Sequence, residues 1–307
     1  MKHIYGPVPS RRLGYSLGVD VVPYKVCSLN CIYCQLGRTT LLTIERGEYV
    51  SPSDIIKEIQ SFLKKNKKID HITFSGSGEP ALNLGIGEMI KGVKEITSIP
   101  VAVLTNGTLL FKKDVQLAFS NADIVIPSLD SATSKGFLKI NRPHSSLKIN
   151  KIIEGIAKFR SAYKGKLWLE IMLVKNFNDT PQELEALKEA VRCINPDKIH
   201  LNTVVRPPAE DFAEPLSIEE LEKIKKFFGE KAEIIVSFKK RRREYNVELK
   251  YAIVETVKRR PMTVENIASV LGVSPNQIIK CVEKLVAVNK IKEIRYKDKI
   301  FYGKSKI

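Results

Sequence analysis

Short apolar runs alternate with amphipathic stretches from about Tyr15 to Phe238. Six of the runs have the composition of β-strands: YSLGVDVVP, HITFSGSG, PVAVLTNG, DIVIPSLD, LWLEIMLV and KIHLNTVV. The segments between them place apolar residues three and four positions apart, which is typical of amphipathic helices. Repeated strand–helix units predict parallel strands joined by right-handed helical crossovers. We therefore expect an α/β fold, either an open sheet or a barrel of about six units that does not close, because a full eightfold barrel usually needs a longer chain.

Several helices have clear N-terminal signals. Ser51-Pro52 opens the first and Thr180-Pro181 another, while Ser217 with Glu220 three positions later is a capping box. Two predicted apolar faces are Ile55, Ile56, Ile59, Phe62 and Leu63, and Leu184, Leu187, Val191 and Ile194. In a parallel fold, binding residues follow the carboxyl ends of the strands, where this chain places SGSGEP, TNGT and SLDS.

The pattern changes after Phe238. KKRRREYN is a charge run, and it is followed by three helical stretches, VELKYAIVETVKRR, TVENIASVLG and NQIIKCVEKLVAVNK. IKEIRYKDKIFYG then predicts a hairpin with Lys297-Asp298 at its tip. This order predicts a winged helix-turn-helix. We expect two domains, a barrel at residues 1–238 and a basic linker with a winged helix-turn-helix at 239–307.

The net charge is +17, and it is uneven: residues 239–307 hold 18 basic and 7 acidic side chains. Such an excess indicates an anionic partner for the C-terminal part, with nucleic acid as the first candidate, and a lysine-rich solvated surface as the alternative. The hydrophobic fraction of 43% supports a packed core. No apolar run is long enough to span a bilayer, and the N-terminus has no secretory pattern, so we expect a cytoplasmic protein with no membrane partner.

Three of the five cysteines lie within eight positions, at Cys27, Cys31 and Cys34. A structural zinc site would need a fourth ligand from afar, such as His3, His71, His144, His200 or one of the lone cysteines. Ferredoxin-type clusters also use four cysteines, whereas a cubane cluster with three protein ligands leaves one iron open to a substrate or cofactor. Cys193 and Cys281 stand alone and are expected to be buried packing residues.

The triplet, with Tyr33 just before the last cysteine, resembles the signature loop of the radical S-adenosylmethionine (SAM) superfamily. This resemblance implies a partial (β/α)6 barrel and a [4Fe–4S] cluster held by Cys27, Cys31 and Cys34, whose open iron chelates SAM. Further matching motifs imply a set of cofactor-binding residues: Tyr33, Gly76, Ser77, Gly78, Glu79, Pro80, Asn106, Ser128 and Asp130. SGSGEP resembles the family's glycine–glycine–glutamate motif, with Ser77 at its first glycine and Glu79 placed for the SAM ammonium. Glu170 and Arg206 are further polar candidates.

GPVPSRRLGYSLGVDVVPYKVCSLNCIYCQLG at residues 6–37, together with INRPH at 140–144, resembles a group related to the wyosine-base synthases, which rebuild a guanine in tRNA. Archaeal members carry a second cluster on additional N-terminal cysteines, and no cysteine precedes Cys27 here. The resemblance implies reductive cleavage of SAM to a 5′-deoxyadenosyl radical that abstracts a hydrogen atom, with an electron donor such as ferredoxin or flavodoxin. It identifies no catalytic acid or base.

Three hypotheses for the substrate remain open. The first is RNA, especially tRNA, bound through a set of basic residues: Lys239 to Arg243, Lys258, Arg259, Arg260, Lys292, Arg295 and Lys297. The second is a protein, peptide or small metabolite, with the winged helix as a docking module. The third is a DNA-binding regulator that uses the cluster as a sensor.

Overall fold

The computed structural model describes residues 3–65, 69–235 and 249–305. Its strands are β1 Ile4–Ser10, β2 Gly14–Val19, β3 Val26–Cys27, β4 Leu41–Leu42, β5 His71–Phe74, β6 Val101–Thr105, β7 Ile124–Pro127, β8 Lys166–Leu173, β9 Lys198–Thr203, β10 Ala232–Ile234, β11 Ile291–Tyr296 and β12 Lys299–Lys304. Its α-helices are α1 Pro52–Lys65, α2 Ile86–Ile96, α3 Lys113–Phe119, α4 Ser134–Ile140, α5 Ile149–Ala162, α6 Pro181–Ile194, α7 Ile218–Phe228, α8 Leu249–Arg259, α9 Val264–Leu271 and α10 Pro275–Ala287, and a 3₁₀ turn covers Pro80–Leu82.

An eight-stranded sheet forms the centre of the molecule, in the order β1-β2-β5-β6-β7-β8-β9-β10. Every neighbouring pair from β2 to β10 is parallel, and helices connect these strands. Only β1 runs antiparallel, against β2. Within the described ranges no strand pairing joins β1 to β10, so the sheet does not close on itself. The predicted partial barrel is confirmed.

The six strands expected from the sequence are β2, β5, β6, β7, β8 and β9, and each is present. The two outer strands, β1 and β10, were not predicted. β1 contains Gly6, Pro7 and Pro9, which are residues typical of turns, and its pairing with β2 has an irregularity between Tyr5 and Val8. β10 is only three residues long, which is too short for a recognisable period.

The helices pack with the predicted apolar faces. On α1, Ile55, Ile59 and Phe62 are buried, and on α6 Leu187 and Ile194 are buried. The capping box at α7 is formed, because the Glu220 backbone N–H donates to Ser217 Oγ and the Ser217 N–H donates to Glu220 Oε2. No helix in the described ranges combines the length and apolar composition needed to cross a membrane.

The C-terminal elements α8, α9, α10, β11 and β12 lie where the sequence predicts three helices and a hairpin. Tyr296 pairs with Lys299, which leaves Lys297 and Asp298 as the hairpin tip. A second apolar cluster joins these elements, and it includes Val8 of β1. The charge run Lys239–Asn246 lies outside the described residues. The domain boundary near residue 238 and the assignment as a winged helix-turn-helix therefore stay predictions.

Candidate active site

The loop that carries Cys27, Cys31 and Cys34 lies at the carboxyl ends of β2 and β5. It follows β2 directly, and it hydrogen-bonds to the loop after β5 on one side: the Lys25 N–H donates to Ser77 O at 2.6 Å and the Glu79 N–H to Val26 O at 3.0 Å. On the other side, the Ile32 N–H donates to Ile140 O at the end of α4, at 2.9 Å. The cysteine loop is therefore fixed at both ends by backbone hydrogen bonds.

Each cysteine sulfur lies near a nitrogen donor from a different part of the fold. Lys25 Nζ lies 3.1 Å from Cys34 Sγ, and the Lys25 side chain is buried. The amide nitrogens of two asparagines lie near the other two sulfurs. Asn106 Nδ2 is 3.5 Å from Cys27 Sγ, and Asn141 Nδ2 is 3.4 Å from Cys31 Sγ. Such donors stabilise sulfur atoms that carry negative charge and tune a bound metal centre.

Burial strongly disfavours the free thiolates. It raises the pKa of Cys27 to about 12, with the Glu79 charge adding to the effect, and it raises the pKa of Cys31 even further. A coordinated metal removes these protons, since a ligating thiol is deprotonated outright. Within the described part of the chain, no three His, Cys, Asp or Glu side chains converge on the position of a single metal ion. A cubane cluster offers each cysteine its own iron, so these three sulfurs fit a cluster better than they fit a structural zinc ion.

The SGSGEP loop after β5 requires its two glycines. A Cβ at Gly78 would lie 2.1 Å from the backbone oxygen of Val26, and one at Gly76, where φ is +137°, would lie 2.4 Å from the Asp20 carboxylate. Ser77, by contrast, directs its hydroxyl to Asp20, with 2.6 Å between Ser77 Oγ and Asp20 Oδ2. The loop therefore lies against the cysteine loop with no space for side chains at its two glycines.

Glu79 is buried and accepts three hydrogen bonds. Its Oε1 accepts from the Ala81 N–H at 3.0 Å and the Thr105 hydroxyl at 2.6 Å, and its Oε2 accepts from the Asn106 N–H at 2.6 Å. Burial raises the pKa of Glu79 to about 7, although the three hydrogen bonds oppose the shift. The carboxyl group thus joins the loops after β5 and β6, and Pro80 begins the 3₁₀ turn that Glu79 caps.

Asp130 is buried and contacts the cysteine loop through Tyr33. Its Oδ2 accepts from the Tyr33 hydroxyl at 2.5 Å and from Asn141 Nδ2 at 2.7 Å, and its Oδ1 accepts from the Met172 N–H at 2.9 Å. Burial raises the pKa of Asp130 to about 6, against these hydrogen bonds. The carboxylate is therefore occupied within the protein, where it orients Tyr33 and Asn141.

A cavity of about 360 Å³ lies beside the cysteine loop, inside the partial barrel. Many of the predicted site residues line it: Cys27, Cys34, Tyr33, Gly76, Gly78, Glu79, Asn106 and Ser128. Cys31, Ser77, Pro80 and Asp130 are not in its described lining. Ser77 and Pro80 adjoin lining residues in the sequence, and Asp130 accepts a hydrogen bond from the lining residue Tyr33. The cavity therefore brings together residues from the loops after β2, β5, β6 and β7, as expected for the carboxyl edge of a parallel sheet.

Four arginines share this cavity, and we call them the arginine cluster: Arg11, Arg12, Arg206 and Arg260. Arg12 pairs with Glu170 of β8, and Arg11 Nη1 donates to Asn202 Oδ1 of β9 at 2.9 Å. Arg206 Nη1 donates to Gln35 Oε1, next to Cys34, at 2.9 Å. The sequence predicted roles only for Arg206 and Arg260. The dibasic pair in SRRLG was the signal for the other two, but its partners lie more than 150 positions away.

The outcome differs for the two lone cysteines. Cys193 was predicted to be buried, and this prediction is wrong, because its side chain is exposed on α6. The buried face of that helix runs through Leu187, Ala190 and Ile194, and position 193 lies beside it. Cys281 is partly buried and packs against the C-terminal apolar cluster. Neither residue contributes to the described lining of the cavity.

Curated relatives match almost the whole chain. A UPF0026 protein of Methanocaldococcus jannaschii is 37% identical over 308 residues, covering 98% of this chain and 95% of the relative. A Brachyspira hyodysenteriae protein named GTPase Obg is 38% identical over 296 residues, covering 95% of this chain. The chain spans only 44% of the length of that second relative, and the name GTPase Obg belongs to that longer protein.

A solved structure shares the fold of this chain, and a family model matches the segment that carries the site. A solved structure of TYW1 with a lysine–pyruvate adduct bound superposes with a TM-score of 0.53 at 17% identity, covering 73% of this chain and 75% of that one. The family model described as the radical SAM superfamily matches residues 21–191, which include the cysteine loop and SGSGEP. Since that match covers more than half of a chain whose fold is a partial barrel, the protein belongs to the radical SAM superfamily, as an enzyme that uses a [4Fe–4S] cluster and SAM.

Proposed function

We propose that this enzyme abstracts a hydrogen atom from an RNA base, and that tRNA supplies the base. The observation that carries the proposal is the shared cavity: Arg260, from the basic C-terminal part, lines the same cavity as Cys27 and Cys34. A phosphate-binding surface that leads into the site of radical chemistry would deliver one nucleotide while the rest of the RNA stays outside. Enzymes that act on a base commonly take it out of its stack in this way.

Cys27, Cys31 and Cys34 would hold the cluster, with the donors of Lys25, Asn106 and Asn141 around their sulfurs. When bound and reduced by a donor such as ferredoxin or flavodoxin, the cluster would supply the electron for reductive cleavage of SAM, which gives methionine and a 5′-deoxyadenosyl radical. The protein contributes orientation and exclusion of water.

Several cavity residues would bind SAM. Glu79 lines the cavity and would accept a hydrogen bond from the SAM ammonium, and the bare backbone at Gly76 and Gly78 would let the methionine part approach. Tyr33, Asn106 and Ser128 line the remaining wall and would contact the adenosine or carboxylate. Asp130 would act through Tyr33 as a positioning residue, while Ser77 and Pro80 would hold the loop in shape.

The hairpin β11–β12 offers basic residues for the RNA backbone. Arg295 and Lys297 are exposed and Lys292 is partly exposed, while Lys258 lies on α8 and pairs with Glu255. Arg260 lies at the cavity, which separates it from these surface groups. The predicted contacts Lys239 to Arg243 lie outside the described residues, and for Arg259 no side chain is described.

The decisive experiment measures 5′-deoxyadenosine from cluster-reconstituted protein with SAM and a reductant, in the absence of oxygen. The reaction is compared with and without bulk tRNA from cells that lack this protein. We expect tRNA to stimulate product formation several-fold. Slow, tRNA-independent formation would contradict the RNA proposal and favour another substrate, and no product from an intact cluster would favour a sensor.

A charge variant tests the delivery surface without removing the C-terminal elements, whose core includes Val8 of β1. Lys292, Arg295 and Lys297 are changed to Gln together, and the matched control changes Lys91, Lys151 and Lys158, on the outer helices α2 and α5. Each lost phosphate contact lowers the slope of log Kd against log salt concentration by nearly one. We therefore expect this slope to be smaller by roughly two to three in the hairpin variant than in the wild type. Equal losses in both variants would mean that RNA binds without using this surface.

A second candidate substrate is a small anionic metabolite. The cavity volume of about 360 Å³ and its four arginines favour it, because a small anion could be bound without any macromolecule. Under this alternative the C-terminal part would be a docking module or a wall of the site. The tRNA comparison above separates the two candidates.

A further inference from the structure

The arginine cluster gives the cavity an excess of positive charge. The described lining contains four arginines and two glutamates, Glu79 and Glu170. Glu79 accepts hydrogen bonds from Ala81, Thr105 and Asn106. Glu170 pairs with Arg12 and also accepts from Asn202 Nδ2 at 2.9 Å. The described lining therefore carries more guanidinium groups than carboxylates.

Arg11 donates to a neutral acceptor, the amide oxygen of Asn202, at 2.9 Å. The Arg12 side chain is 10% exposed, and its Nε is buried with no hydrogen-bond acceptor among the described residues. Burying a guanidinium donor without an acceptor costs free energy. A bound anion would supply the acceptor.

The four arginines also act on one another. Burial lowers the pKa of Arg206 well below its usual range, and the charges of Arg260, Arg11 and Arg12 lower it further. Burial likewise lowers the pKa of Arg11 to about 10, with the Arg12 charge as the next cause. Like charges that repel one another would be stabilised together by a single multivalent anion.

We propose that the arginine cluster is the binding site for a phosphate group of the substrate. A phosphate offers several acceptor oxygens and up to two negative charges, which suits several guanidinium forks better than a monocarboxylate does. If the substrate is RNA, as in the proposed function, the phosphate belongs to the nucleotide that carries the reacting base. This identification of the phosphate rests on the proposed function. The C-terminal part then contributes to the site itself through Arg260, in addition to any surface contacts.

The test uses cluster-reconstituted protein without RNA and follows binding of inorganic phosphate by calorimetry at low ionic strength. We expect Arg260→Gln to weaken phosphate binding about tenfold, which is the effect of losing one charge-assisted contact. The matched control is Arg192→Gln, an exposed arginine on α6 that pairs with Glu189 outside the cavity. We expect it to bind phosphate as the wild type does.

A second measurement needs no variant and locates the site. Wild-type protein is labelled with phenylglyoxal, and the modification of individual arginines is quantified by mass spectrometry. We expect phosphate to slow labelling of Arg11, Arg12 and Arg260 several-fold and to leave Arg192 unaffected.

Three outcomes would overturn the proposal. Acetate protecting as well as phosphate would make the cluster a carboxylate site. Protection by SAM and not by phosphate would assign the arginines to the cofactor. Equal protection at Arg192, or none anywhere, would mean that no phosphate site exists. No RNA is present in this test. Its result is therefore independent of whether tRNA stimulates formation of 5′-deoxyadenosine.

Discussion

Asn141 donates a hydrogen bond to Asp130 with 2.7 Å between Nδ2 and Oδ2, and the same nitrogen lies 3.4 Å from the sulfur of Cys31. One buried amide therefore connects the carboxylate that follows β7 with the cysteine loop that follows β2. Asp130 also accepts from the Tyr33 hydroxyl. The cysteine loop is thus positioned by a polar network that spans the barrel edge.

We predict that Asn141→Ala lowers both stability and cluster content. The change leaves Asp130 without one of its donors in a buried site, which costs about 1–3 kcal/mol, and it removes the N–H near Cys31. Chemical denaturation measures the first effect, and iron and sulfide per chain after reconstitution measure the second. The control is Asn121→Ala, at an exposed position in a turn. A stability loss with unchanged iron content would limit Asn141 to a structural role.

Replacement of any cysteine of the triplet should remove the cluster. We expect Cys27→Ala, Cys31→Ala and Cys34→Ala each to lower iron per chain at least about tenfold, because a cubane cluster with two protein ligands is poorly held. Cys193→Ala is the matched control, since Cys193 is exposed on α6 and away from the cavity lining. Loss of iron in the Cys193 variant as well would point to a ligand outside the triplet.

The cysteine triplet and the SGSGEP motif were predictable because each lies in one short, continuous segment of the sequence. Cys27, Cys31 and Cys34 lie within eight positions, and SGSGEP follows a strand whose apolar run is clear. The order of the strands then places both segments at one edge of the sheet, as the structure has them. Parallel topology thus converts a sequence order into a spatial neighbourhood.

The arginine cluster was not predictable, because its members meet only through tertiary contacts. Arg11 bonds to Asn202, 191 positions away, and Arg206 to Gln35, 171 positions away. The pattern likewise did not indicate which way Asp130 faces. A polar residue just after a strand favours a site contact, but the Asp130 carboxylate turns to Tyr33, Asn141 and the Met172 N–H. Edge strand β1 was hidden by its glycine and prolines for a similar reason: its pairing with β2 overrides weak local propensity.

Glu79 should make stability depend on pH. Its pKa is raised from the usual 4.5 to about 7 by burial, so between these values the folded protein keeps a proton that the unfolded chain has lost. The free energy of unfolding should therefore fall as pH rises from about 4.5 to about 7, by on the order of 3 kcal/mol, and this contribution should be level above pH 7.

Comparison of wild type with Glu79→Gln isolates this effect. Denaturation of SAM-free protein across this pH range measures the free energy of unfolding of each protein. As the pH rises, the wild type should lose stability relative to Glu79→Gln. Glu95→Gln, at an exposed position of α2, should follow the wild type. A pH profile that is unchanged by Glu79→Gln would mean that Glu79 is ionised throughout the range.

The variant Gly78→Ala tests whether the SGSGEP loop must approach the backbone of the cysteine loop closely. A Cβ at this position would lie 2.1 Å from Val26 O and 2.9 Å from Val22 Cγ2, so Gly78→Ala must push the loop away from the cysteine loop. Overpacking of this kind typically costs about 1–3 kcal/mol, and it should also weaken SAM binding, because Glu79 follows directly. Urea denaturation and a SAM titration of the reconstituted protein measure the two effects.

The matched control for this prediction is Gly47→Ala, whose Cβ would make only ordinary contact with Tyr49 at 3.4 Å. Gly47 pairs with Asn83 in the same part of the fold, so the two variants differ in steric fit more than in location. We expect Gly47→Ala to retain both stability and SAM affinity. If Gly78→Ala were equally tolerated, the loop would have room to move, and the bare backbone at Gly78 would not be what admits the cofactor.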